Sequence, residues 1–465
     1  MDEGLADHVR DEAPSAGTRP GRDSVGKSQP AFPAACAGDL RIQRWVVTLA
    51  TVAFTVSAAA TFVTLALATS GKRAPMIDLQ IYRWAGLLAV HSGDLYGGYF
   101  PHRHLPFTYP PMAALVFVVM TAIPMPALRW LVTVASISCL IATLWLTWGM
   151  LGYRRSARAA ATLAAASVTL WLAPVLQTLW LGQINLILML VIVADLCLPD
   201  SARFKGAGVG LAAGLKLVPL IFIPYLLLTR RFRAAGVSLA TFALTIASSL
   251  VLLPRQSQKF WFGRLFLGSS RSGNIAYVGN QSLHGTLARL MSSQPAEMPY
   301  WLVISVVIGV AGLLLAAWTA RRGYEIIGIL TCGLTGLLIS PISWSHHWVW
   351  VAPALVVAVD VAVRIHAASW PSAGPEHGIR RLVSWRWSGR WRQWVRWCAL
   401  ATLAAPFFVL PEGLVPTTVV QGTGAHGVEL VTGNLYVIDG LVALCVVGLT
   451  LVAGERGNAH GNGLE

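Results

Sequence analysis

Residues 43–69 read QRWVVTLATVAFTVSAAATFVTLALAT, with no charged residue after Arg44. A helix needs roughly 20 apolar residues to cross the hydrocarbon core of a bilayer, so this run is long enough to be both anchor and first span. The stretch that follows, Met76 to Pro111 (MIDLQIYRWAGLLAVHSGDLYGGYFPHRHLPFTYPP), behaves differently. It opens with an acid, Asp78, a few residues past the span. Asp78, Tyr82 and Ala85 then share one face of a helical pattern, with Ile81 and Trp84 beside them. A turn rich in Gly, His and Pro comes next, and Phe107-Thr108-Tyr109-Pro110-Pro111 returns the chain to apolar sequence. This pattern sets an acidic group at a membrane surface.

Outward from that stretch, further apolar segments lie near 111–123, 127–150, 159–176, 182–198, 207–228, 237–253, 301–320, 326–342, 347–367, 397–413 and 434–454. Together they predict an all-α polytopic membrane protein with about twelve crossings and helices in its external loops. Composition agrees. The 465 residues are 55% hydrophobic and only 12% charged, against about 25% charged in soluble domains, so lipid must solvate much of the surface. One membrane domain (39–455) is expected, between a polar, disordered head (1–38) and a short tail (456–465).

The formal charge of +15 would suggest a nucleic-acid partner in a soluble protein. Here the basic residues sit in short connections, as the positive-inside rule expects. Residues 384–397, SWRWSGRWRQWVRW, read as an interfacial Trp/Arg segment rather than a base-stacking surface. No nucleic acid is expected. Taking Arg41, Arg44, Arg230, Arg231, Arg233, Arg321, Arg322 and the 364–396 connection as cytoplasmic leaves loops 70–107, 254–300, 343–347 and 414–433 together outside. Arg154, Arg155 and Arg158 then fall outside too, so either 111–123 is re-entrant or a later boundary is misplaced. The six cysteines are scattered, without metal-ligand spacing or a disulfide framework.

Polar side chains at membrane depth are expensive, so each needs a reason. Asp78 can cap the helix that follows, act on a substrate, or do both. Asp94 reads as a turn residue; Asp195, Asp200 and Asp360 read as capping or paired acids; Glu325 reads as the partner of Arg321 four residues before it. His346 and His347, within Ser340–Trp348, interrupt two spans on the same expected side as Asp78. Adjacent imidazoles point apart on a helix and no third ligand is near, so neither metal nor other cofactor is expected. A histidine there can bind phosphate or share a proton. Lys216 lies in an apolar run before Pro219, and Gln183 and Asn185 form a second polar notch. Asn280, Gln281 and Ser282, with Arg271 nearby, offer amides for sugar hydroxyls and a cation for phosphate.

Six of these motifs, in order, resemble glycosyltransferase family 87, the polyprenol-phosphate-mannose-dependent mannosyltransferases of actinobacteria. They are Asp78-Leu79-x-x-Tyr82; Phe107 to Pro111; Gly182-Gln183-x-Asn185; Lys216-x-x-Pro219; Asn280-Gln281-Ser282; and Ser340-Pro341-x-Ser343-Trp344-x-His346-His347. The resemblance implies a GT-C-type membrane fold, a polyprenyl-phosphate-mannose donor and a glycolipid or lipoglycan acceptor in the phosphatidylinositol mannoside pathway. It implies Asp78 as catalytic acid residue, with His346 or His347 beside it, on the external face of the cell membrane. Tyr82, Tyr109, Gln183, Asn185, Lys216, Arg271, Asn280, Gln281 and Ser282 become the expected substrate contacts. A lipid-linked sugar flippase, a structural membrane subunit and a transferase using another polyprenyl-phosphate sugar are the competing readings. The absence of paired internal repeats argues against the first.

Overall fold

The computed structural model describes residues 44–70, 76–100, 105–267, 273–291, 294–368, 395, 397–416 and 427–461. The head 1–38, Arg271 and most of the Trp/Arg segment 384–397 lie outside the described residues.

The described chain is helical, with β-pairing limited to two isolated bridges, Phe100 to Leu105 and Asn280 to Trp344. α1 (Arg44–Ser70) exposes Trp45, Leu49, Val56 and Leu67, an outward apolar face that suits hydrocarbon rather than water. α2 (Ile77–Val90) is the amphipathic helix expected after it. α3 (Pro111–Phe117) starts on a proline, whose missing N–H is harmless there, and ends in a 3-10 turn (Val118–Ala122). α4 (Met125–Met150), α5 (Arg155–Thr169), α6 (Ala173–Leu181) and α7 (Asn185–Leu196) follow. Next come α8 (Ala207–Leu215), α9 (Phe222–Leu228), α10 (Phe232–Leu252) and a single turn, α11 (Pro254–Ser257). The last are α12 (Leu283–Met291), α13 (Gln294–Arg321), α14 (Glu325–Ile339), α15 (Val351–Ala368) and α16 (Leu435–Gly461). α16 continues through 456–461, which the sequence reading assigns to the tail.

Among the described residues, six helices are long and apolar enough to cross a membrane, or seven if α5 and α6, bent by 76°, form one broken span. Apart from that bent pair, the remaining expected spans are short apolar helices, and two of those segments depart from a single straight helix in an informative way. Residues 111–122 lie along α2. The Arg83 Nη2 donates to the Thr121 carbonyl at 3.2 Å, and Gly86 is so close to α3 that a Cβ there would stand 2.6 Å from the Phe117 carbonyl oxygen. Residues 207–228 are a hairpin rather than one kinked helix. The chain breaks at Lys216, whose backbone is extended (φ −151°, ψ 126°), before Pro219 is reached. α8 climbs against α10 on Gly206, Gly210 and Gly214, four residues apart. A Cβ on each would meet Ala234, Ser238 and Thr245 of α10 at 2.1, 2.3 and 2.3 Å. Small residues on one stripe let two helices approach closely in lipid, where packing replaces the hydrophobic effect as the driving force.

The bundle therefore has two ends. One holds Asp78, Gln183, Lys216 and the 340–347 segment. The other holds Asp200, Arg231 and Glu325, where both Arg231 terminal nitrogens meet the Glu325 carboxylate at 2.6 Å. α7 and α14 connect the two, so the ends are roughly 20 Å apart at 1.5 Å per residue. Tyr153 donates to Asp360 (2.9 Å) and Arg364 to the Leu151 carbonyl (2.7 Å), which fixes the 151–158 connection at the Arg231 end. The discrepant Arg154 cluster thus lies at the same end as the other basic residues, because 111–122 packs along α2.

Candidate active site

The site begins where α2 meets α6. Met76 is the N-cap of α2, in the left-handed region (φ 55°, ψ 54°), and its N–H donates to the Trp180 carbonyl at 3.1 Å. This corrects the capping reading of Asp78, which lies inside the first turn with its carboxylate toward the positive end of the helix. Gly182 makes the junction possible. It ends α6 at φ +71°, and a Cβ would lie 2.7 Å from the Leu79 Cβ. Only glycine satisfies both the left-handed conformation and that approach.

Gln183 follows directly and orients the acid. Its Nε2 donates to Asp78 Oδ2 at 2.7 Å, while its Oε1 accepts from the Tyr82 hydroxyl (2.6 Å) and the Tyr109 hydroxyl (3.1 Å). The two phenols, 2.8 Å apart, fix the amide so that nitrogen faces the carboxylate. Tyr82 is buried and stacked on Phe117. Gln183 and Tyr82 therefore hold Asp78, and their polar atoms are engaged with protein rather than open to a sugar. Among the described residues, Asp78 Oδ1 has no hydrogen-bond partner. Burial pushes the Asp78 carboxyl up to about 6, against the opposing pull of the Gln183 hydrogen bond and the Lys216 charge.

Opposite this carboxylate, the hairpin tip delivers Lys216. Its Nζ donates to Asn185 Oδ1 (2.8 Å) and to His347 Nε2 (3.0 Å), and lies 5.7 Å from the Tyr109 ring centre. Asn185 Nδ2 and the Thr178 hydroxyl both bond the His346 carbonyl, at 2.9 and 3.0 Å. The two histidines are thus separated by role. His347 faces the lysine, whereas the His346 ring is buried against His347, edge to face at 4.8 Å, and among the described residues its Nε2 has no hydrogen-bond partner. A cavity of about 50 Å³ opens beside Lys216, Asn185 and His347, otherwise walled by apolar residues such as Leu188, Met189, Phe222 and Trp350.

Asn280, Gln281 and Ser282 are fully buried. Asn280 receives the Ser343 N–H (3.0 Å) and donates to the Ile275 and Pro341 carbonyls (3.0 and 3.3 Å). Gln281 donates to Val278 and Gly433 (2.6 and 2.7 Å) and accepts from Tyr436 N (3.2 Å). Ser282 donates to Pro341 (3.3 Å). The expected sugar contacts are instead saturated struts that brace the histidine segment. The buried cation beside them is Arg289, bonded to the Asn280 carbonyl at 3.1 Å.

One nearby acid has no role in the sequence reading. Glu412 accepts from the Ser345 hydroxyl (3.1 and 3.3 Å), one residue before the histidine pair, and burial raises its carboxyl. It follows Pro411 at the edge of an apolar run, the same kind of position that singles out Asp78. The other acids are structural. Asp195 takes the Gly206 and Val209 N–H groups and caps α8; Asp360 pairs with Arg364; Glu325 pairs with Arg231 rather than with Arg321. Asp94 makes the expected turn, accepting from Tyr96 N at 3.1 Å. Among the described residues no three His, Cys, Asp or Glu side chains converge as metal ligands.

The sequence profile of glycosyltransferase family 87 matches residues 107–341, which include Tyr109, Gln183, Asn185, Lys216 and 280–282 but neither Asp78 nor the histidine pair. A polyprenol-phosphate-mannose-dependent alpha-(1-2)-phosphatidylinositol mannoside mannosyltransferase of Mycobacterium tuberculosis is 34% identical over 298 residues, 60% of this chain and 69% of that protein. Two polyprenol-phosphate-mannose-dependent alpha-(1-2)-phosphatidylinositol pentamannoside mannosyltransferases, from M. tuberculosis and Mycolicibacterium smegmatis, are each 31% identical across 68% of this chain, covering 70% and 74% of their own lengths. No solved structure matches.

Proposed function

The chain belongs to glycosyltransferase family 87, and on that footing we propose a multi-pass membrane mannosyltransferase. It moves mannose from polyprenyl-phosphate-mannose to a phosphatidylinositol mannoside or related lipoglycan, forming an α-1,2 linkage. Donor and acceptor classes are those named for the relatives. The observation that carries the reading is a clamped carboxylate and a lysine–histidine pair brought together at one end of the bundle.

The acceptor hydroxyl gives its proton to Asp78 Oδ1 as its oxygen attacks the anomeric carbon. The bond from that carbon to the phosphate oxygen breaks, and its electron pair leaves with polyprenyl phosphate. In-line displacement on a β-linked donor gives the α-linked product. A carboxyl near 6 is a stronger base than an ordinary aspartate and is still ionised at neutral pH. The departing phosphate needs countercharge more than a proton, since the second pKa of a phosphate monoester is about 6. Lys216 supplies it, His347 orients the ammonium, and the apolar cavity beside them takes the first carbons of the isoprenoid. Tyr82, Tyr109, Gln183 and Asn185 position these groups. The scheme uses no metal. With the arginine-rich end cytoplasmic, the site faces outward across the cell membrane.

The test is purified protein with radiolabelled polyprenyl-phosphate-mannose and a set of phosphatidylinositol mannosides. The expected result is a glycolipid one mannose longer whose new residue is released by an α-1,2-specific mannosidase. Movement of intact donor between leaflets, with no new glycosidic bond, would overturn the reading.

A further inference from the structure

The opposite end of the bundle holds a second concavity. It has a volume of about 610 Å³ and is lined by Asp200, Thr229, Arg230, Arg231, Ala320 and Arg321. Its only acid is already neutralised: Asp200 meets Lys205 at 2.8 Å and Arg231 at 3.1 Å. Arg231 is in turn held by Glu325. That leaves Arg230 and Arg321, which have no side-chain partner among the described residues and face the same space. The backbone supports the aim of Arg230. α9 ends in a Schellman-type turn, with Arg231 N donating to the Leu226 carbonyl (2.8 Å) and Arg230 N to that of Leu227 (2.9 Å). The residue at its left-handed position is normally glycine. Here it is Arg230, at φ 61°, so the strained conformation is accepted by a residue that brings a guanidinium to the groove.

We propose that this groove binds the phosphate head group of an anionic phospholipid in the leaflet opposite the catalytic site. Guanidinium forks match phosphate oxygens. The neighbouring residues say why the phosphate belongs to a lipid: Phe204, next in sequence to the Lys205 that meets Asp200, and Phe232, next to Arg231, are 66% and 65% exposed. A groove for a soluble anion has no use for exposed phenyl rings, whereas acyl chains beneath a head group cover them. The groove adjoins the C-terminal end of α9, so occupancy braces the base of the hairpin whose tip carries Lys216.

The experiment uses the full chain in nanodiscs of phosphatidylcholine alone or with phosphatidylglycerol, counting retained phosphatidylglycerol by native mass spectrometry. The wild type retains it in preference to phosphatidylcholine. Arg230→Gln/Arg321→Gln holds it about tenfold more weakly or worse. Arg230→Gly separates binding from folding, because it relaxes the turn while removing the guanidinium; it lowers retention and raises the melting temperature in neutral lipid. Equal retention by wild type and both variants, or displacement of the lipid by inorganic phosphate at matching concentration, would overturn the proposal.

Discussion

A base that works near neutrality needs one oxygen held and the other free. Asp78 has Oδ2 on the Gln183 amide and Oδ1 without a hydrogen-bond partner among the described residues. With its carboxyl at about 6, mannosyl transfer should rise with pH through that value and hold only while the buried Lys216 keeps its charge, read as the pH profile of kcat/KM. Stability should move the other way. A carboxyl whose folded pKa exceeds its unfolded value near 4 stabilises the fold when protonated, and that contribution disappears as pH rises from about 4 to about 6. Asp78→Asn should therefore melt higher than wild type at pH 7, by about 1–3 kcal/mol, with no advantage at pH 4. The histidines also divide. His347→Ala removes the Lys216 partner and should lower kcat about a hundredfold, whereas His346→Ala should chiefly lower thermal stability. Asp78 was legible in the sequence because an isolated acid at a span edge is rare. The duties of Asn280, Gln281 and Ser282 were not, since an amide that braces a loop and one that binds sugar look alike until its partners are known.

Helices place these groups through close approaches rather than through long apolar faces. Gly182 is the case nearest the carboxylate: it ends α6, admits Leu79, and sets Gln183 against Asp78 in three consecutive steps. Gly182→Ala should push α2 away from α6. The prediction is at least a tenfold fall in kcat with a smaller change in KM, measured beside a melting curve that shows the protein still folded. Long spans such as α1, α4 and α10 could be read from hydropathy alone. The hairpin at 207–228 could not, because an apolar run reads the same whether it crosses once or turns back. Its signal was Lys216 together with glycines spaced by four, a pattern that marks a packed helix ending at a polar tip.

At the scale of the molecule, the two ends differ in chemistry, and the proposed orientation rests on that difference. Basic residues at 151–158, 230–233, 321–322 and 364 share one end; Asp78, Lys216, His347 and Glu412 share the other. In a cysteine-free background, Tyr99→Cys should react with an impermeant maleimide from outside intact cells, and Arg203→Cys only after permeabilisation. The reverse labelling would place the site on the cytoplasmic face. Counting apolar segments led to about twelve crossings; the packing of 111–122 along α2 and the turn at Lys216 account for part of the difference from the six or seven long apolar helices among the described residues, and the first of these accounts for the position of the Arg154 cluster. The most direct measurement is mannose transfer by purified Asp78→Asn, with donor binding measured in parallel. The expected result is a rate lower by about 10²–10⁴-fold with donor affinity unchanged; a variant keeping more than about a tenth of the wild-type rate would contradict the assignment of this carboxylate as the base.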